Sequence, residues 1–135
     1  MPKIFIFIPV DDAEIAKVFF VETLGFKQER DFFVPKCVES DEIGIRLQMD
    51  REIREKNRSQ RRIAIFTYFL EKKFLSYCKK IRDQGVKFTL MCSHPGGYAA
   101  CILDPFGNEI QIESESFDDK DLSIDPNDWP IYKRY

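Results

Sequence analysis

The stretch Tyr98-Ala99-Ala100-Cys101-Ile102-Leu103-Asp104-Pro105-Phe106-Gly107-Asn108-Glu109-Ile110-Gln111-Ile112-Glu113 reads as two strands joined by a tight turn. At the turn, proline presets φ, Gly107 accepts a left-handed backbone, and Asp104 and Asn108 can bond the nearby main chain. The strand that follows alternates, with Ile110 and Ile112 on one face and Glu109, Gln111 and Glu113 on the other. Upstream, Ser93 to Gly97 reads as a loop, Val86 to Met91 as a strand and Gln84-Gly85-Val86 as a helix exit. Leu70, Phe74, Tyr77, Cys78 and Ile81 fall at helical spacing, while Lys72, Lys73, Lys79, Lys80 and Arg82 take the wet side.

The same order occurs earlier in the chain. Lys3 to Pro9 is a strand with Ile4, Ile6 and Ile8 alternating against Phe5, Phe7 and Pro9, so both faces should be covered. Asp11 or Asp12 can cap a helix that runs to about Leu24 and stops at Gly25, burying Ile15, Val18, Phe19 and Leu24. Lys27 to Phe33, Lys36 to Ser40 and Ile43 to Met49 read as short strands, with turns near Pro35 and Asp41. Residues 3–50 and 61–114 therefore carry one strand–helix–three-strand plan twice, joined by a linker over 51–60. Two copies of a small αβ unit tend to build one cleft between them. A tail, 115–135, ends in Trp129-Pro130-Ile131-Tyr132-Lys133-Arg134-Tyr135, whose aromatics should dock on this domain or on a partner chain.

Composition sets the bounds. With 135 residues, 44% of them hydrophobic and 33% charged, the chain can bury one core, so residues 1–114 are expected to form a single domain. A net charge of −2 argues against a nucleic-acid partner. The basic run Arg51 to Arg62 is diluted by Glu52 and Glu55, has no interleaved aromatic, and reads as solvated linker. No stretch approaches the ~20 apolar residues of a membrane span, and no signal peptide is evident, so a cytoplasmic protein is expected. Cys37, Cys78, Cys92 and Cys101 lack Cys-x-x-Cys spacing and read as buried small hydrophobes rather than as zinc ligands or disulfides.

Phe19-Phe20, Leu24-Gly25-Phe26 and Asp104-Pro105-Phe106-Gly107-Asn108, at these spacings and within a repeated plan, resemble the vicinal oxygen chelate superfamily. That group includes glyoxalase I, extradiol dioxygenases, methylmalonyl-CoA epimerase, and fosfomycin- and bleomycin-resistance proteins. The resemblance spans residues 3–114. It implies an α+β fold: two tandem βαβββ modules forming a curved mixed sheet around a cavity, with helices outside.

Enzymes of this family hold a divalent metal through the first and last strands of each module. By that resemblance the first-strand positions fall on Phe5 and Arg62, and the last-strand positions near Gln48 and on Gln111. Phenylalanine and guanidinium cannot bind a cation, and neutral carboxamides hold such metals weakly. No metal and no cofactor are expected. The sole histidine, His94, reads as a solvent-facing loop residue.

Strand alternation marks a candidate pocket. If Ile45, Leu47, Ile63, Ile65, Ile110 and Ile112 face the helices, then Arg46, Gln48, Arg62, Ala64, Phe66, Glu109 and Gln111 face the other way. Phe5, Phe7, Arg46, Gln48, Arg62, Phe66, Glu109 and Gln111 are thus the expected ligand-binding residues. Arg46 or Arg62 would anchor an anionic or aromatic ligand.

The resemblance is closest to bleomycin-resistance proteins, on the proline-containing first strand without histidine, the Leu24-Gly25-Phe26 exit and Gly96-Gly97 before the turn. It implies a homodimer. The expected function is metal-independent sequestration of a small molecule, with no catalytic residue assigned. The alternative is a glyoxalase- or epimerase-like lyase or isomerase, metal-dependent through unrecognised ligands or using Glu109 as base with Arg46 or Arg62 steadying an enolate.

Overall fold

The computed structural model describes residues 4–35, 43–49, 65–114, 117 and 124–135. The first module runs β1 (Ile4–Pro9), α1 (Ala13–Lys17) continuing as a π-helical segment (Val18–Thr23), β2 (Lys27–Glu29), β3 (Phe32–Val34) and β4 (Ile43–Gln48). In the second come β5 (Thr67–Leu70), α2 (Phe74–Asp83), β6 (Lys87–His94), β7 (Gly97–Leu103) and β8 (Glu109–Ser114). A short 3-10 turn (Pro126–Asp128) and β9 (Tyr132–Arg134) close the chain.

The duplicated plan holds, and each module builds its own unclosed mixed sheet, ordered β1-β4-β3-β2 and β5-β8-β7-β6-β9. In both, the first strand pairs in parallel with the last, β1 with β4 and β5 with β8. A helix lying between such strands is what that crossover requires.

Asp12 caps α1, its Oδ1 accepting from the amides of Glu14 at 2.9 Å and Ile15 at 3.2 Å. Gly25 stops the helix with φ +79° and Gly85 does the same after α2 with φ +94°. The buried face of the first helix differs from the expected one. Ala16, Phe19, Phe20 and Leu24 are buried, whereas Ile15 and Val18 are 49% and 48% exposed. The buried face is set by Ala16, Phe19 and Phe20 at i, i+3 and i+4, which turns Ile15 and Val18 toward solvent, and the helix ends in a π-helical turn in which Leu24 N–H bonds Phe19 O.

Three further expectations are corrected. Leu70 ends β5 instead of opening α2, which starts at Phe74 behind a left-handed Lys73 at φ +59°. The single strand expected over Lys27 to Phe33 is a β2–β3 hairpin turning at Arg30-Asp31. The loop expected over Ser93 to Gly97 shrinks to Pro95-Gly96, because β6 and β7 pair up to His94 and Gly97. The expected strand Lys36 to Ser40 and the linker 51–60 lie outside the described residues.

The buried side chains of both modules join one core cluster. Phe26 meets Tyr68 edge-on at 5.1 Å and Phe66 at 6.2 Å, bridging first module to second. The Tyr77 hydroxyl donates to Leu24 O at 2.7 Å, and Asn108 Nδ2 donates to Pro9 O at 2.7 Å. The tail tip docks on the second module: Trp129 is buried against Phe88, and β9 pairs in parallel with β6. Among the described residues no helix is long and apolar enough to cross a membrane.

Candidate functional site

Alternation gives each sheet a core face and an opposite face. In the second sheet Ile110, Ile112, Ala100, Ile102 and Met91 are fully buried in the core. Their neighbours form rows on the opposite face, fixed by strand register. One row runs Phe69, Glu113, Ala99, Cys92, and the next Thr67, Gln111, Cys101, Leu90. Ala99, Cys92 and Cys101 make a floor of small side chains between taller neighbours on β8 and β5.

The polar groups of this face are held in place. Gln111 Nε2 donates to Glu113 Oε1 at 2.6 Å, and Thr89 Oγ1 donates to Glu109 Oε1 at 2.9 Å. A register shift between Phe88 and Leu90 accompanies Thr89 at this position. Burial pushes the Cys101 thiol up to about 11, with Glu109, Cys92 and Glu113 adding to the shift. Burial also raises Cys92, helped by Glu113 and opposed by a backbone hydrogen bond from Ala99. At neutral pH both sulfurs are therefore protonated and poor nucleophiles. The described cysteines Cys78, Cys92 and Cys101 are all buried thiols outside any disulfide.

The first sheet presents an aromatic platform. The Arg46 guanidinium lies over the Phe5 ring at 3.8 Å from its centroid, and Phe5 meets Phe32 edge-on at 5.6 Å. Arg46 Nη2 sits 3.3 Å from Asp31 Oδ2. Its Nε is buried and has no hydrogen-bond partner among the described residues. Phe7 pairs with Arg46 across the β1–β4 ladder and is 52% exposed, so this side of β1 is open instead of covered.

The residues expected to bind ligand therefore divide. Phe5, Phe7 and Arg46 come together on the first sheet, and Glu109 and Gln111 on the second. Phe66, expected on the open face, packs against the core through Phe26 and Tyr68, because β5 begins only at Thr67 and Phe66 shares the parity of Tyr68 and Leu70. The open-face residues of β5 are Thr67 and Phe69, the latter 42% exposed, which the sequence reading missed by starting this strand too early. Gln48 pairs with Pro9 through the ladder, but its side chain, like all of Arg62 and Ala64, lies outside the described residues. His94 is half-buried at the end of β6, where Nδ1 accepts from Gly96 N–H at 3.1 Å, so it buttresses a turn rather than facing solvent from a loop.

Of the positions that the resemblance assigns to a divalent metal, Phe5 and Gln111 have described side chains. Phe5 carries no donor atom and sits under a guanidinium, while Gln111, whose Nε2 donates to Glu113, could offer a metal only its neutral amide oxygen. No three His, Cys, Asp or Glu side chains converge among the described residues. Two surface hollows are formed by described residues. One, of about 390 Å³, runs between Phe19 and the Gly85–Lys87 and Leu103–Pro105 segments. Another, of about 350 Å³, lies over Ile15, Val18 and Pro105. Neither of these two touches an expected ligand-binding residue.

Two strand–helix–three-strand units, with helices on one side and polar-edged sheet faces on the other, define a paired-module α+β protein. The chain belongs to the glyoxalase/bleomycin resistance protein/dioxygenase superfamily, whose model matches residues 4–112. Among solved structures it is similar to UcmS2, at 24% identity and a TM-score of 0.66, covering 84% of this chain and 96% of that one. TnmS3, an antibiotic binding protein from Streptomyces sp. CB03234, is 24% identical with a TM-score of 0.62, covering 86% and 96%. A superfamily member from Sphaerobacter thermophilus DSM 20745 is 23% identical with a TM-score of 0.60, covering 82% and 94%. No protein of curated function matches the chain.

Proposed function

We propose that this protein is a cytoplasmic, metal-independent homodimer that sequesters a small aromatic molecule on its open sheet faces without transforming it. The observation that carries this reading is Arg46, partly exposed and stacked on Phe5 beside the exposed Phe7. A flat ligand with an acceptor group can cover Phe7 and bond the partly exposed Arg46 guanidinium, which the Phe5 ring holds in place. The likeness to TnmS3, an antibiotic binding protein, supports the ligand class. The exposed Phe7 and Phe69 support a second copy that covers what the ligand leaves open. Buried thiols outside any disulfide suit a reducing compartment.

The test is a thermal-shift screen with planar aromatic carboxylates such as naphthoate, beside metal uptake after incubation with Mn, Zn, Ni and Fe salts. Naphthoate is expected to raise the unfolding temperature, Arg46→Gln to abolish the rise, and no metal to bind near one per chain. Stoichiometric metal, or a rise untouched by Arg46→Gln, would overturn the reading.

A further inference from the structure

The tail adds a strand to the second open face. β9 pairs with β6 through Met91 with Tyr132, Cys92 with Lys133 and Ser93 with Arg134. Partners in register share a face, so Tyr132 lies on the core side with Met91, where its hydroxyl meets Ser93 Oγ at 2.6 Å. Lys133 therefore lies on the opposite face with Cys92. One row now crosses all five strands: Phe69, Glu113, Ala99, Cys92, Lys133. A carboxylate and an ammonium bracket a floor of small side chains, three strand spacings or roughly 14 Å apart at their backbones. Direct pairing of the two is out of reach at that separation, and Lys133 forms no ion pair among the described residues.

The position of Lys133 is well fixed for a chain terminus. Trp129 is buried, edge-on to Phe88 at 5.8 Å and beneath the Arg82 guanidinium at 4.4 Å. Past Lys133, Tyr135 N–H donates to Ser93 O of β6 at 2.8 Å. At the other end of the row Gln111 holds Glu113.

We propose that β9 is a wall of a binding face, on which Glu113 and Lys133 select a flat amphoteric molecule, its cationic group over β8 and its anionic group toward β9. Charge complementarity along the row sets this ligand class, a rigid molecule long enough to reach from Glu113 to Lys133 with opposite charges at its two ends. The inference rests on the ligand-binding reading only in taking the sheet faces as open to ligand. It uses a different face from Arg46. The competing view of Lys133 is that it merely blunts an edge strand against aggregation.

Three rigid probes separate these views by calorimetry on the full chain: a biphenyl with para aminomethyl and para′ carboxylate groups, and the two analogues that each lack one of them. The amphoteric probe is expected to bind more tightly than either analogue. Lys133→Gln should weaken it about fivefold, to the level of the ammonium-only probe, and leave that probe unaffected. Glu113→Gln should weaken the amphoteric and ammonium-only probes alike. Added salt should erase the advantage of the amphoteric probe. If the probes bind but Lys133→Gln changes nothing, the inference is overturned while the general reading stands. If neither these probes nor naphthoate binds the wild-type chain, both fall together.

Discussion

Asn108 serves two acceptors at once, Asp104 Oδ2 at 2.7 Å within its own turn and Pro9 O at 2.7 Å, a partner 99 residues away at the end of β1. The turn was legible as a turn from Asp104, Pro105 and Gly107, but nothing local in the sequence says that its asparagine reaches across to the other module. Asn108→Ala is expected to cost about 2–3 kcal/mol, because both acceptors lose a donor in a half-buried setting, and urea unfolding would read it. Asp104 accepts from the amides of Phe106 at 2.9 Å and Asn108 at 2.8 Å, which favours its ionised form. Burial opposes this and prevails, holding its carboxyl above the usual carboxylate value of 3.8. The native state then binds the proton more tightly than the unfolded chain. This residue's contribution to stability is full below the unfolded value and declines as pH rises through the raised native one. Carboxyl-resolved NMR titration should place Asp104 above 3.8, and a value below it would mean that the hydrogen bonds outweigh desolvation.

At the scale of elements, the sequence reveals which segments are helix and which are strand better than where they begin, turn or face. The β2–β3 hairpin turns at Arg30-Asp31 without glycine or proline, with Arg30 at φ +22°, so the usual punctuation is missing. The reverse error came at Pro95-Gly96-Gly97, where strong turn residues suggested a long loop and only two residues are needed. In the first helix Ile15, Val18 and Phe19 form one stripe at helical spacing and Ala16, Phe19 and Phe20 another, and periodicity alone does not say which of them meets the core. Tail docking was legible from its aromatics, but its pairing with β6, and hence the placement of Lys133, depends on an edge that only the assembled sheet offers. Trp129 anchors that strand. Trp129→Ala should cost about 3–5 kcal/mol and free β9 from β6, which limited trypsin digestion would report as fast cleavage at Lys133 and Arg134.

For the whole molecule the question is whether two modules with separate sheets behave as one body. Their shared core and their two long-range hydrogen bonds bear on it differently. Burial of Phe26 against Phe66 and Tyr68 is non-directional and would tolerate small slips, whereas the Tyr77 hydroxyl fixes one alignment by donating to Leu24 O, the end of the first helix. Since that proton is committed, Tyr68, whose hydroxyl lies 2.7 Å from that of Tyr77, is the donor in their pair. The link therefore runs from β5 through α2 to α1, and the expected site residues fall on two sheets whose relative placement depends on it. This is also why the site was only partly legible. Strand parity found Phe5, Phe7, Arg46, Glu109 and Gln111 on open faces, but it cannot say which faces are joined or where β5 begins. Tyr77→Phe keeps the ring packing and removes the directional bond, at an expected cost of about 1–2 kcal/mol. Trp129, the single tryptophan, reports on the second module, while far-UV circular dichroism reports on both. If the modules are one cooperative unit, the two signals will give the same urea midpoint in wild type and shift together in Tyr77→Phe. A circular-dichroism transition that splits from the tryptophan signal in the variant would show that this single hydroxyl couples two otherwise separable folding units.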